Sequence, residues 1–228
     1  MKYNLTDITK YYGADYMSCI DTKTLKELLK NLPEIKANIN YKIFNIWKEI
    51  WENKLTNLYD DSVVISPNYL IEHIFPLKYD NFFNYSIEID IYVDKLLRDI
   101  NRKHINFQQI NLSKILPILW YTKYDSLIYE ENHSSSPIIA VFFPAQVGSS
   151  PSLQYYSILD GNHRVSAAVN SHKELPIYCI SDPFLKSKYF INLVSCYAFH
   201  LIQSYLYLQL NDDKVCIQYL KELNSFNF

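Results

Sequence analysis

Asp160, Gly161, Asn162, His163 and Arg164 are consecutive, and they bring a carboxylate, an amide, an imidazole and a guanidinium to one short stretch. Tyr155, Tyr156, Ile158 and Leu159 before it are β-prone, and Val165 to Val169 after it are helix-compatible. A second β-prone run, Ile177 to Ile180, follows Pro176. The pattern predicts a strand, a tight turn, a helix and a strand, in a length close to the minimum for a crossover unit. A helix start presents unpaired backbone N–H groups and the positive end of the helix dipole, so it attracts anions. His163 and Arg164 add two cation-capable donors there, and arginine offers a fork suited to phosphate oxygens. Gly161 is one of three glycines in 228 residues. It stands where a ligand's phosphate, or a turn with positive φ, would exclude a side chain. The chemistry on offer is anion binding. An ordinary Asp-Gly turn carrying a solvated His-Arg pair has the same spacing, and spacing alone does not choose between them.

The composition sets the frame for that turn. Hydrophobic residues make up 49 % of the chain and charged residues 20 %, which describes a core-forming globular protein. A length of 228 residues suits one large domain, or a small one with helical additions. The net charge of −2 gives no basic excess that would advertise nucleic acid, although a local patch is compatible with it. Cys19, Cys179, Cys196 and Cys216 are scattered and fit neither a zinc site nor a compact disulfide framework. The first residues show no apolar signal region, so a reduced cytoplasm is the expected location. Phe190 to Leu210 is apolar enough to tempt a membrane reading, but Asn192, Ser195, His200, Gln203, Ser204 and Gln209 interrupt it. A buried core helix or a dimer-forming helix is expected there, and no membrane contact.

The elements around the turn can be read from periodicity. Residues 1–104 read as a helical region. Asp21 to Thr24 precede a stripe of Leu25, Leu28, Leu29 and Leu32, and Pro33 stops it. Tyr41 to Leu58 places Ile43, Phe44, Trp47, Ile50, Trp51, Leu55 and Leu58 at helical spacing, as a core stripe. Ser66-Pro67 opens a helix over Asn68 to Ile74, which Pro76 closes, and a further helix is expected over Ile87 to Ile100. From Ile105 the character becomes mixed. Ile105 to Ile115 is β-prone, with Asn111 to Pro117 a short strand leading into a turn, then a short helix over Thr122 to Tyr129 and a strong strand over Ile138 to Phe143. Pro144 to Ser152 joins that strand to Tyr155 as a hairpin-like connection. Helices return after Pro183, over Leu185 to Leu210 and Asp213 to Leu223.

With these residues in place, Ile105 to Ile180 resembles the ParB/sulfiredoxin superfamily, over about a third of the chain. The resemblance rests on Leu112-Ser113-Lys114-Ile115 at a leading strand and turn, Ser136-Pro137-Ile138 opening a strand, a Tyr-Ser-containing strand, the Asp160–Arg164 turn opening a helix, and Pro176 before the last strand. Sulfiredoxins carry Gly-Gly-Cys-His-Arg at that turn. ParB proteins carry a Gly-Glu-Arg-Arg-like turn, and members with free-serine kinase activity carry the most similar form, Asp-Gly-His-His-Arg. The resemblance implies an α+β fold, with a small mixed-sheet core over 105–182 between helical flanks at 1–104 and 183–228, the second packed on the core. It implies that Gly161, Asn162, His163 and Arg164 hold the phosphates of a nucleotide, with Ser166 either donating to phosphate or packing. Lys123 and Ser126 match the Lys-x-x-Ser that sulfiredoxins use on the preceding helix. Two departures count. Asn162 replaces the sulfiredoxin cysteine, and an amide cannot perform that chemistry. The basic DNA-binding segment of ParB proteins is also missing, since 182–228 is mixed and aromatic.

Three functions follow from the resemblance and the residue types. The leading expectation is a phosphotransferase or nucleotide hydrolase using ATP, or another nucleoside triphosphate, with Mg²⁺. Phosphoryl transfer needs charge neutralisation, a metal ligand and a base. Arg164, His163 and the helix dipole supply the first, and Asp160 the metal ligand or the base. Glu130 and Glu131 are candidates for the second carboxylate, with a solvated helix end as their plainer reading. A ParB-like nuclease is the second expectation, with Asp160, His163 and a metal activating water. The third is a non-catalytic nucleotide sensor or a partner-binding protein whose helical flanks make the main interface. In each case the helical flanks are expected to pair the chain with itself or with a protein partner.

Overall fold

Ile87, Ile89 and Ile91 recur with the period of a strand, and all three are buried at 2 % exposure or less. They belong to β2 (Tyr85–Tyr92), which pairs antiparallel with β1 (Ile74–Phe82). The computed structural model describes residues 21–32, 41–58, 74–82, 85–120, 138–145, 153–181, 184–208 and 212–228. The hairpin bears on two helix readings in the expected helical region 1–104. Ile74 and Pro76 lie within β1, Pro76 opposite Asp90, while residues 68–73 of the helix expected ahead of Pro76 lie outside the described residues. Among the described residues no strand pairs with the other side of β1, and an edge strand tolerates proline. The helix expected over Ile87 to Ile100 begins only at Val93, as α3 (Val93–Asn101).

The described residues divide into two compact units, those within Met1–Lys95 and Phe184–Phe228, and those within Leu96–Pro183. In the first unit, α1 (Thr22–Asn31) and α2 (Tyr41–Thr56) follow the predicted stripes, with Leu25, Leu28, Trp47 and Trp51 fully buried. The carboxy-terminal segment supplies α6 (Leu193–Tyr207) and α7 (Asp213–Ser225) to this same unit. Burial runs all round α6, including Ser195, His200, Gln203 and Ser204, so the apolar stretch is a core helix and not a dimer-forming one. It starts at Leu193 instead of Leu185 because Asn192 caps it, accepting from the Ser195 N–H at 2.7 Å. Phe190, ahead of the cap, is extended and bridges to Ile91 of β2. Among the described residues no helix is long and apolar enough to cross a membrane.

The second unit is a five-stranded mixed sheet, and the protein as a whole is α+β. Its strands are β3 (Gln108–Asn111), β4 (Leu119–Trp120), β5 (Ile138–Ala145), β6 (Leu153–Asp160) and β7 (Pro176–Ile180), in the order β3-β7-β5-β6-β4. A short α4 (Leu112–Ile115) follows β3, and α5 (Asn162–Asn170) joins β6 to β7. One side of the sheet packs Ile138, Ala140, Ile158, Ile177 and Cys179 against Val165 and Ala168 of α5. Pairing of β5 with β6 is antiparallel down to Ala145 opposite Leu153, as a hairpin connection requires. The expected crossover is different in detail. β7 runs parallel to β5 and β5 antiparallel to β6, so β6 and β7 point in opposite directions with β5 between them. Asp160 pairs with Ile139 and Ile177 with Ile138, so the chain re-enters the sheet at the end it left. Nine residues of helix carry it out about 13 Å, and the extended loop to Pro176 brings it back.

Candidate functional site

β6 ends at Asp160 and α5 starts at Asn162, so a single residue must reverse the chain. That residue, Gly161, has φ 100° and ψ 19°, in the left-handed region. A Cβ on it would lie 2.6 Å from Ile138 Cγ1 and 3.1 Å from Arg164 Nη2. The glycine is therefore required by the turn and by the close approach of β5. Ile138 as the side chain closing over the turn has no signal in the sequence, because strand pairing alone brings it there.

The first intrahelical bond of α5 runs from the Val165 N–H to the Gly161 carbonyl at 2.9 Å. The amides of Asn162, His163 and Arg164 precede it, at the positive end of the helix dipole. Among the described residues no side chain caps this terminus. Instead Arg164 folds back one turn, and its Nη2 donates to Asp160 Oδ2 at 3.2 Å. The two side chains are 17 % and 20 % exposed, so the pair is sheltered but within reach of a solute. Ser166 is 4 % exposed and lies with Val165 and Ala168 on the packed side of α5.

Asp160, Gly161, Asn162, His163, Arg164 and Ser166 are thus brought together by one strand end and one helix start. Lys123, Ser126, Glu130 and Glu131 lie outside the described residues. Among the described residues no group of three or more His, Cys, Asp or Glu side chains could hold a metal ion. A magnesium ion needs only one or two carboxylates when substrate phosphates complete its shell, so Asp160 fits that role once Arg164 releases it. The arrangement suits an anion: the Arg164 guanidinium and the first amides of α5 stand at the same turn, with His163 beside Arg164 in the chain. The chain matches no family model, no curated protein and no solved structure.

Proposed function

We propose that the Asp160–Arg164 turn is the phosphate site of a ParB/sulfiredoxin-like, nucleotide-binding protein that transfers or hydrolyses a phosphoryl group. The observation that carries this reading is the Arg164–Asp160 pair held at 3.2 Å over a helix start. A phosphate approaching the helix terminus competes for the Arg164 fork, since bidentate arginine–phosphate pairing is strong. Arg164 turning to phosphate frees the Asp160 carboxylate to hold Mg²⁺ or to accept the proton of the attacking hydroxyl. Mg²⁺, when bound, would neutralise charge on the phosphate oxygens. His163 and the amides of the first helical turn hold the rest of the phosphate.

A second reading, a non-catalytic nucleotide sensor, is favoured by that same pairing, because Asp160 already has a structural partner. One experiment separates them. ATP, ADP, CTP and GTP, each with Mg²⁺, are titrated by calorimetry and thermal shift into the wild type, Arg164→Ala and Asp160→Asn, with phosphate release assayed in parallel. Saturable binding is expected, weakened by about tenfold or more in Arg164→Ala, a loss of at least about 1.4 kcal/mol. Asp160→Asn is expected to bind and not turn over. Unchanged behaviour of Asp160→Asn supports the sensor, and no binding of any nucleotide sinks both.

A further inference from the structure

The helices α2 and α7 of the first unit lie side by side with their carboxy-terminal ends together. Lys54 Nζ, in the last turn of α2, donates to the Phe226 carbonyl just past α7 at 2.9 Å. They therefore run in the same direction, and a groove of about 410 Å³ opens between them. Its α2 wall carries Ile46, Glu49, Ile50 and Asn53, spaced i, i+3, i+4, i+7 on one helix face. Its α7 wall carries Ile217, Leu220, Lys221 and Asn224 at the same spacing. Ile50 and Leu220 are buried and make the floor, while Ile46 and Ile217 stand 47 % and 42 % exposed. Ile46 and Ile217 are among the most exposed large apolar side chains of the described residues, and they stand on neighbouring helices.

Along the common helix direction each wall begins with isoleucine and ends with asparagine, with one charge between them, Glu49 at i+3 on α2 and Lys221 at i+4 on α7. Seven residues separate the ends of each row, about 10.5 Å in either helix. The charges are opposite, Glu49 on one wall and Lys221 on the other. A two-fold axis parallel to the helices lays α2 of one copy on α7 of the other without reversing direction. Ile46 then meets the partner's Ile217, Glu49 the partner's Lys221 and Asn53 the partner's Asn224, and each contact occurs twice. An axis across the helices would set α2 on α2, with Glu49 against Glu49, and α7 on α7, with Lys221 against Lys221. Like charges facing each other disfavour that arrangement.

We propose that this face docks a second copy of the chain, as a two-fold pair with α2 against α7. The inference is independent of the nucleotide reading. Sedimentation equilibrium of the full chain, from about 1 µM to about 1 mM, tests it over the range of a small interface. A monomer–dimer equilibrium is expected. Glu49→Lys and Lys221→Glu are each expected to weaken it by about tenfold or more, through two like-charge contacts per dimer. The double variant, with both charges exchanged, is expected to restore it, which damage to folding cannot do. Ile217→Asp is expected to abolish the dimer with an unchanged circular dichroism spectrum. A monomer throughout the range overturns the proposal. So does a dimer indifferent to Glu49→Lys, or a double variant no better than the single ones.

Discussion

Two indole N–H groups, Trp47 Nε1 and Trp51 Nε1, converge on the Ser204 hydroxyl at 2.8 and 2.9 Å. Ser204 in turn donates to the Leu201 carbonyl at 3.0 Å, so this buried oxygen is fully used. Ser204→Ala would strand both indoles in the core, at about 1–3 kcal/mol for each orphaned donor. Urea denaturation should register that loss, and a change below about 0.5 kcal/mol would mean the indoles had found other acceptors. Tyr219 is the opposite case. It is 4 % exposed, and its hydroxyl has no hydrogen-bond partner among the described residues. Burial pushes its phenol strongly upward, and its ring stacks on Tyr207 at 4.1 Å. Tyr219→Phe keeps the stacking and removes the unpaired group, so stability should hold or rise by up to about 1 kcal/mol in the same assay. A loss beyond that size would show that the hydroxyl has a role. At this scale the sequence is informative about one side of a contact. The stripe bearing Trp47 and Trp51 is plain in the sequence, but their acceptor lies more than 150 positions away. The Asp160–Arg164 turn was legible because its chemistry is contiguous, whereas Ile138 reaches it only through the pairing of β5 with β6.

Helix α1 shows how far local rules reach. Asp21 Oδ1 accepts from the Thr24 N–H at 2.7 Å, an N-cap bond that opens the helix at Thr22, ahead of the leucine stripe. Asp21→Ala should cost about 1 kcal/mol, while Asp21→Asn, which keeps the acceptor, should cost less. Hydrogen bonds to the Thr24 side chain and then its backbone hold the Asp21 carboxyl below its ordinary value of 3.8. A depressed folded-state pKa means the cap contributes above the unfolded value and is lost as pH falls through the folded one. Urea midpoints measured from about pH 5 to about pH 2.5 should therefore fall more steeply for the wild type than for Asp21→Asn. The difference is small because the group is exposed to solvent screening, and parallel curves would remove the cap from the acid response. Apolar stripes made α1 and α2 readable, and the Asp-Gly turn made the start of α5 readable. The hairpin was not, because the alternation of Ile87, Ile89 and Ile91 runs straight into the helical spacing of Leu96 and Ile100. The direction of β7 was hidden for a different reason. A strand's sequence records which residues are buried, and its partners decide which way it points.

The chain enters its first compact unit at both ends, with the second unit formed by the residues between. The last three residues are part of that closure. The Phe226 carbonyl receives Lys54, and the Phe226 ring lies 5.4 Å from His200. Phe228 packs 4.2 Å from Tyr197 and 5.1 Å from His200 between ring centroids. His200 itself is fully buried and reaches the Leu185 carbonyl through Nε2 at 2.8 Å. Deleting Phe226 to Phe228 therefore opens an aromatic cage around a buried imidazole. Three thiols report on where that damage spreads. Burial raises Cys179 to about 12 and Cys216 to about 11, and raises Cys196 further. The thiolate is the reactive form, so all three should resist iodoacetamide in the intact protein. Cys196 and Cys216 sit in the first unit and Cys179 in the second, whose core is built from its own strands and α5. Local opening exposes only the groups of the unit that opens. In the truncated chain, labelling of Cys196 and Cys216 should accelerate by about tenfold or more while Cys179 keeps its protection. Peptide mapping distinguishes these sites from Cys19. Equal acceleration at all three would show instead that the two units unfold as one, and that the terminal aromatic residues support the sheet bearing the Asp160–Arg164 turn as well as their own core.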